Sequence, residues 1–291
     1  MWHAFGAHLA FQRGFRVTRA CAMAAVCTTL GLAAMIVAPL ARSQTPQAPP
    51  RATSPAFSAS AVAATEGEQP TQRASAPLES PAWIEAEAPA SGKAFVYPPR
   101  DPNEAARPVT VMLHGMCGHP QSACAPFVDV STTRGWLVCP RGEDPCGGGT
   151  RWRLRGPDDA QLVEASVRAT AREHAGQVDA SASRVLVGFS LGGIAAVQIA
   201  QGSSGLYEGL VVVASQVHPD AGLLEKAGVK RVVLAAGDLD MTSAPLQEDA
   251  RRLAAQGLPT RFVSLGHFGH GYPSDMQARM REPMEWVAGG G

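Results

Sequence analysis

Residues 185–193, Val-Leu-Val-Gly-Phe-Ser-Leu-Gly-Gly, constrain this chain more than any other stretch. An apolar, β-favouring run enters Gly188-x-Ser190-x-Gly192, and a small-residue helical stretch, 194–200, leaves it. A strand, a sharp turn and a helix in that order hold a serine in a strained conformation, its Oγ raised above the carboxyl edge of a sheet. Gly188 and Gly192 keep Cβ atoms out of the places where the strand and helix backbones nearly touch. The helix points its positive end at the serine. Ser190 is therefore a candidate nucleophile. The competing reading is an ordinary strand–glycine–helix turn.

The rest of the domain supplies the sheet that such a turn requires. Residues 109–113 form a near-continuous apolar run, as expected of a strand buried on both faces. Further strands are expected at 93–97, 136–139, 210–214, 231–236 and 261–265. Helices are expected around 126–133 and at 158–175, 244–256 and 276–287, the last with Pro283 inside it. The Asp158–Asp159 pair is expected to cap the second of these helices, whose Leu162, Val163, Val167 and Ala171 share one face. This alternation implies an α/β domain with a mostly parallel central sheet flanked by helices on both faces. No long insertion separates the helix after Ser190 from residue 240, so no large cap domain is expected. The longest irregular segment is 141–156. Its Trp152 is either a platform for substrate or part of the core.

Not all of the 291 residues belong to that domain. Residues 1–19 carry Arg13, Arg16 and Arg19 and no acid, and residues 21–41 carry no charge. That is the pattern of an export signal, with a cut before Gln44, or of an uncleaved membrane anchor. Val26 before Cys27 is too bulky for a good lipoprotein signal. Residues 44–80 are rich in Pro, Ala, Ser and Thr, and read as a disordered linker that cannot bury enough apolar surface to order itself. Residues 81–291 suffice for one domain with a sizeable core. The formal net charge is zero, and no basic cluster is expected in this part, which argues against nucleic acid as a partner. Contact with a membrane is expected only through the N-terminal segment. The location expected is periplasmic, secreted or membrane-anchored.

Cys21 and Cys27 lie in the apolar export segment. Cys117, Cys124, Cys139 and Cys146 remain, an even number in an exported domain, and two disulfides are expected among them. Local pairing, Cys117–Cys124 and Cys139–Cys146, closes the shortest loops. The spacing resembles neither a zinc ribbon nor a redox motif.

A serine hydroxyl needs a base, and the base needs an acid to fix its tautomer. Residues 237–240, Gly-Asp-Leu-Asp, follow the 231–236 strand and offer Asp240, by a Gly-x-x-Asp spacing, or Asp238, nearer the strand end. Residues 266–271, Gly-His-Phe-Gly-His-Gly, follow the next strand and offer His270, flanked by two glycines, or His267. The turn His114-Gly115-Met116-Cys117-Gly118 follows the 109–113 strand. It can aim a backbone N–H at a carbonyl oxygen that gains negative charge. Met116 is the expected donor, with Cys117 as substitute, and Leu191 provides the second. His114 is read as holding this loop rather than taking part in chemistry.

The His114-Gly115 turn, Gly188-x-Ser190-x-Gly192, Asp240 and His270 come in the order Ser, Asp, His. From about residue 93 to 287 the chain resembles an α/β-hydrolase, closest to small esterases of the carboxylesterase, dienelactone hydrolase and polyhydroxyalkanoate depolymerase branches. The resemblance implies a serine hydrolase with no metal and no organic cofactor. It does not fix the substrate, because the fold hosts many activities; an open site with the 141–156 segment on its rim suits a small or polymeric carboxylic ester, the leading expectation. Some dienelactone-type relatives use Cys as nucleophile, but here that position holds Ser190, and Cys117 lies in another loop. A peptidase of the same fold and a non-catalytic envelope binding module are the alternatives.

Overall fold

The computed structural model describes residues 81–86, 92–101 and 105–289. The expected signal or anchor at 1–43 and the linker at 44–80 lie outside the described residues. Among the described residues, no helix is long and apolar enough to cross a membrane.

Every residue of strand β3 (Val109–Leu113) is buried, as its apolar run requires. Successive side chains point to opposite faces, so the buried strands feed two separate core layers. In β7 (Arg184–Phe189), β8 (Tyr207–Val213) and β9 (Arg231–Ala236), Leu186, Leu210, Val212, Val232 and Leu234 enter one layer. Val185, Val187, Val211, Val213 and Val233 enter the other. Helices α3 (Pro157–Glu173), α4 (Leu191–Gly202), α5 (Ala221–Ala227) and α6 (Ser243–Ala255) cover the first layer, contributing Leu162, Ile199, Leu224 and Leu246. Helix α7 (Met276–Val287), with Pro283 inside it, covers the second through Met276, Met280 and Met284, joined by Phe127 and Cys124. The expected sheet with helices on both faces is present.

The strands β1 (Ala82–Ala86), β2 (Gly92–Tyr97), β4 (Trp136–Pro140) and β10 (Thr260–Ser264) complete an eight-stranded sheet of order β1-β2-β4-β3-β7-β8-β9-β10. From β4 to β10 all neighbours are parallel, whereas β2 runs antiparallel to both β1 and β4. No sequence signal was read for β1 or for α5. Between α4 and Asp240 the chain forms only β8, α5 and β9, so no cap domain intervenes.

Four local expectations need correction. The helix expected around 126–133 is broken into α1 (Pro120–Cys124), a single 3₁₀ turn (Ala125–Phe127) and α2 (Val128–Thr132), with Pro126 inside the turn. The Asp158–Asp159 pair does not cap α3. Gly156 holds the N-cap position, and Asp159 instead accepts the N–H of Arg155 at 2.8 Å. The segment 141–156 is not irregular throughout, because β5 (Asp144–Cys146) and β6 (Gly149–Arg151) form a hairpin. Its glycine-rich turn contains Gly147 and Gly148, both at positive φ, which suits a tight reversal.

That hairpin overturns the expected cysteine pairing. The bridges are Cys117–Cys146 and Cys124–Cys139. Cys146 folds back against the turn after β3, where Thr150 donates its N–H to the Gly118 carbonyl at 3.1 Å. Cys124, at the end of α1, meets Cys139 of β4 in the second core layer. Short sequence separation was the wrong guide, because tertiary contacts bring the more distant partners together. Non-reducing peptide mapping should recover these two linkages. Replacing both Cys124 and Cys139 by Ala should cost about 3 kcal/mol in urea unfolding, the usual worth of closing a loop of this length. An unchanged midpoint would show the bridge idle.

Candidate active site

Four loops meet at the carboxyl edge of the sheet, where ligands bind in such folds. They follow β3, β7, β9 and β10. Ser190 ends the β7 strand at φ 52°, a conformation that costs a non-glycine residue about 1–3 kcal/mol. The strain is held by the surroundings. The Ser190 N–H donates to the Val213 carbonyl at 2.9 Å, and the Ser190 carbonyl accepts the Ser215 hydroxyl at 2.7 Å.

The helix that leaves Ser190 presses directly on the loop after β3. A Cβ on Gly192 would stand 2.3 Å from the Leu113 carbonyl oxygen and 2.4 Å from that of His114, so only glycine fits. This contact brings Leu191 and Met116 to the wall of one shared cavity. Their N–H groups are the two donors expected from the sequence.

A second glycine contact joins the loops after β9 and β10. A Cβ on Gly237 would lie 2.0 Å from the Phe268 carbonyl oxygen. The same carbonyl accepts the Leu239 N–H at 3.0 Å, and the Asp238 N–H donates to Gly266 at 2.8 Å. With the loops joined in this way, His270 Nε2 lies 3.0 Å from Ser190 Oγ, and His270 Nδ1 lies 2.8 Å from Asp240 Oδ2. The His270 ring also packs 5.1 Å from that of Phe189, between centroids.

Of the paired candidates, the structure brings Asp240 and His270 to Ser190. Asp238 is exposed and accepts the Ser264 hydroxyl, and His267 is exposed. The Asp240 side chain is fully buried. Burial alone would raise its pKa, but the Thr242 N–H and then the His270 contact outweigh it, so the carboxyl is held below its usual value. Thr242 was missed in the sequence. Its N–H and its hydroxyl both donate to Asp240 Oδ1 at 2.9 Å, leaving Oδ2 for the histidine. A Thr two residues after an Asp is the available signal, since such short turns bond side chain to backbone locally.

His114 holds the loop after β3, as expected. It is completely buried, and its pKa falls to about 4, chiefly through burial. Its Nε2 accepts the Gly142 N–H at 3.0 Å, which leaves the proton on Nδ1 to donate to the Gly115 carbonyl at 2.8 Å. Trp152 belongs to the core, and its edge also lines the cavity beside Met116 and Leu191. It is 2% exposed and donates Nε1–H to the His114 carbonyl at 2.8 Å. Large apolar side chains stand exposed on three of the four loops: Met116 after β3, Leu239 and Met241 after β9, and Phe268 after β10.

A mostly parallel sheet of this order, with a strained serine after β7 and its hydrogen-bonded histidine and aspartate after β10 and β9, has the α/β-hydrolase fold, and solved structures match it. S-formylglutathione hydrolase from Staphylococcus aureus matches at 10% identity over 72% of this chain and 98% of that one, with a TM-score of 0.53. The Bacillus cereus carboxylesterase matches at 19% identity over 70% and 96%, with a TM-score of 0.51. A puromycin-hydrolyzing peptidase from Mycobacterium tuberculosis matches at 18% identity over 73% of this chain but only 40% of its own, with a TM-score of 0.52. No family model matches the chain, and no curated protein matches it in sequence.

Two buried groups near this site set opposite pH dependences. His114 drops from 6.5 to about 4 on folding, so unfolding takes up a proton between those values and stability falls as pH falls from about 6.5 to 4. Asp159 rises from 3.8 to about 7, through burial and then the neighbouring Glu143 carboxyl. The fold thus holds a proton that the unfolded chain releases, and stability falls as pH rises from about 4 to 7. Asp159→Asn keeps an acceptor for Arg155 and removes only the second effect. Its urea midpoint should fall more steeply than that of the wild type between pH 7 and 4.5. The added slope should stay below the ceiling of about 1.4 kcal/mol per pH unit. Parallel curves would refute the raised Asp159.

Proposed function

We propose that this protein is an exported serine hydrolase that cleaves carboxylic esters through an acyl-enzyme. One observation carries the reading: a continuous hydrogen-bonded line from Ser190 Oγ through His270 to the buried Asp240 carboxylate, at 3.0 and 2.8 Å. Ser190 Oγ attacks the scissile carbonyl, and His270 Nε2 takes its proton. Asp240 holds the proton on Nδ1 and stabilises the imidazolium that forms. The Met116 and Leu191 N–H groups receive the charge gathering on the carbonyl oxygen. His270 then returns its proton to the departing alcohol. Water, deprotonated by the same ring, releases the acid and restores Ser190.

The open edge supports an ester of modest size or a polymer chain, since among the described residues no cap domain intervenes between α4 and Asp240 and the loops present apolar side chains. The two disulfides support an oxidising compartment. Peptide cleavage by the same groups is the second reading, and a matching fold in a peptidase keeps it in view. A binding module with an idle triad is the third.

A fluorophosphonate probe should label the wild type at Ser190 and leave Ser190→Ala unlabelled. Ester turnover should fall by about 10⁴-fold or more in that variant, measured on p-nitrophenyl esters of graded length with matched anilides alongside. Residual turnover above a tenth of wild type would end the nucleophile assignment. Faster anilide cleavage would favour the peptidase.

Asp240→Asn should cost far more in kcat than Asp238→Asn, because only the former disturbs the histidine. The reverse ranking would move the acid to Asp238.

A further inference from the structure

Beside the candidate oxyanion donors, the hairpin strand β6 runs on into the sequence Arg151-Trp-Arg-Leu-Arg155. The alternation sorts its residues: Trp152 is buried and Leu154 half-buried, while Arg151, Arg153 and Arg155 are exposed. The three arginines, with Trp152 and Leu154 between them, line a pocket of about 380 Å³ whose other wall is Met116 and Leu191. One carboxylate, Asp144, also lines it. Three guanidiniums against one carboxylate leave the pocket cationic at neutral pH. Asp144 is already committed, since it accepts from Arg153 at 2.8 Å and lies 4.0 Å from Arg151. It reaches Arg155 only at longer range. Glu143 and Asp158 also act on Arg153, but neither lines the pocket.

The segment is fixed before any ligand arrives. Trp152 is tied to the His114 carbonyl, the Arg155 N–H is tied to Asp159, and Cys146 at the end of β5 is bonded to Cys117. Leu154 is held at φ 57° and packs against the core. Like charges gathered on a rigid segment repel one another, and an anion between them relieves that repulsion. A guanidinium offers a planar fork that suits a carboxylate.

We propose that this pocket selects substrates bearing a carboxylate a few bonds from the scissile carbonyl, and that Arg155 and Arg151 hold that carboxylate. The proposal rests on the serine hydrolase reading and names its substrate class. The anion lies on either the acyl or the alcohol side, and two matched pairs of esters separate these. The first pair is mono-p-nitrophenyl glutarate against p-nitrophenyl pentanoate. The second is p-carboxyphenyl butyrate against p-carbamoylphenyl butyrate.

In the wild type, the anionic member of one pair should have a kcat/KM about tenfold or more above its neutral partner, and added salt should shrink that ratio. Arg155→Gln should lower the ratio about threefold, and the Arg151→Gln/Arg155→Gln double variant should abolish it. A wild type that takes up the fluorophosphonate and cleaves the neutral esters, yet shows no preference in either pair, overturns the carboxylate pocket and leaves the hydrolase standing. A preference that survives the double variant overturns it too. A wild type that cleaves no ester and takes up no probe sinks the hydrolase reading and this one with it.

Discussion

Two contacts of backbone on backbone govern the site. At Gly192 the start of α4 touches the end of β3, and at Gly237 the loop after β9 touches the loop after β10. Neither place has room for a Cβ atom. The first contact sets Leu191 beside Met116, and the second sets Asp240 beside His270. The strain at Ser190 is sustained because both sides of its turn are pinned by such contacts and by the bonds to Val213 and Ser215. Interiors packed this closely do not deform gradually, so a single added methyl group at either glycine must move a loop.

Electrostatics then divides the labour between buried groups. Asp240 is kept charged against its burial by Thr242, whereas His114 is kept neutral by burial and spends both nitrogens on loop backbone and its neighbours. His270 faces the serine, and His114 fastens the wall opposite. Residue type alone does not distinguish them. What does is the company each ring keeps: His114 is completely buried and bonded to loop backbone, whereas His270 is exposed and bonded to a carboxylate and a serine hydroxyl.

Much of this was legible in the sequence, for identifiable reasons. The strand, turn and helix around Ser190 is a local pattern, and Asp240 and His270 follow strand ends whose apolar runs are unmistakable. Asp240 follows two strands along from Ser190, and His270 one strand further, which fixes their order along the sheet edge. The cysteine pairing was not legible, because it depends on a hairpin that turns Cys146 back on Cys117, and its short strands, Asp-Pro-Cys and Gly-Thr-Arg, carry no apolar alternation. Trp152 was undecided for the same reason: its partner is a carbonyl 38 residues away. The antiparallel edge strand β1 was missed because a five-residue stretch with Trp83 exposed gives little periodicity. The three arginines were passed over because a chain of zero net charge draws no attention to a local cluster.

The hairpin after β4 has a further consequence. Ser190, Asp240 and His270 hang from β7, β9 and β10, while the hairpin hangs from the far side of β3 and is tethered there by a covalent bond and a buried ring. Changes in its length or charge would leave the spacings among Ser190, His270 and Asp240 untouched. The cleft thus has two banks on separate supports. Residues exchanged on the hairpin bank would change which molecules fit there without moving the side chains on the other.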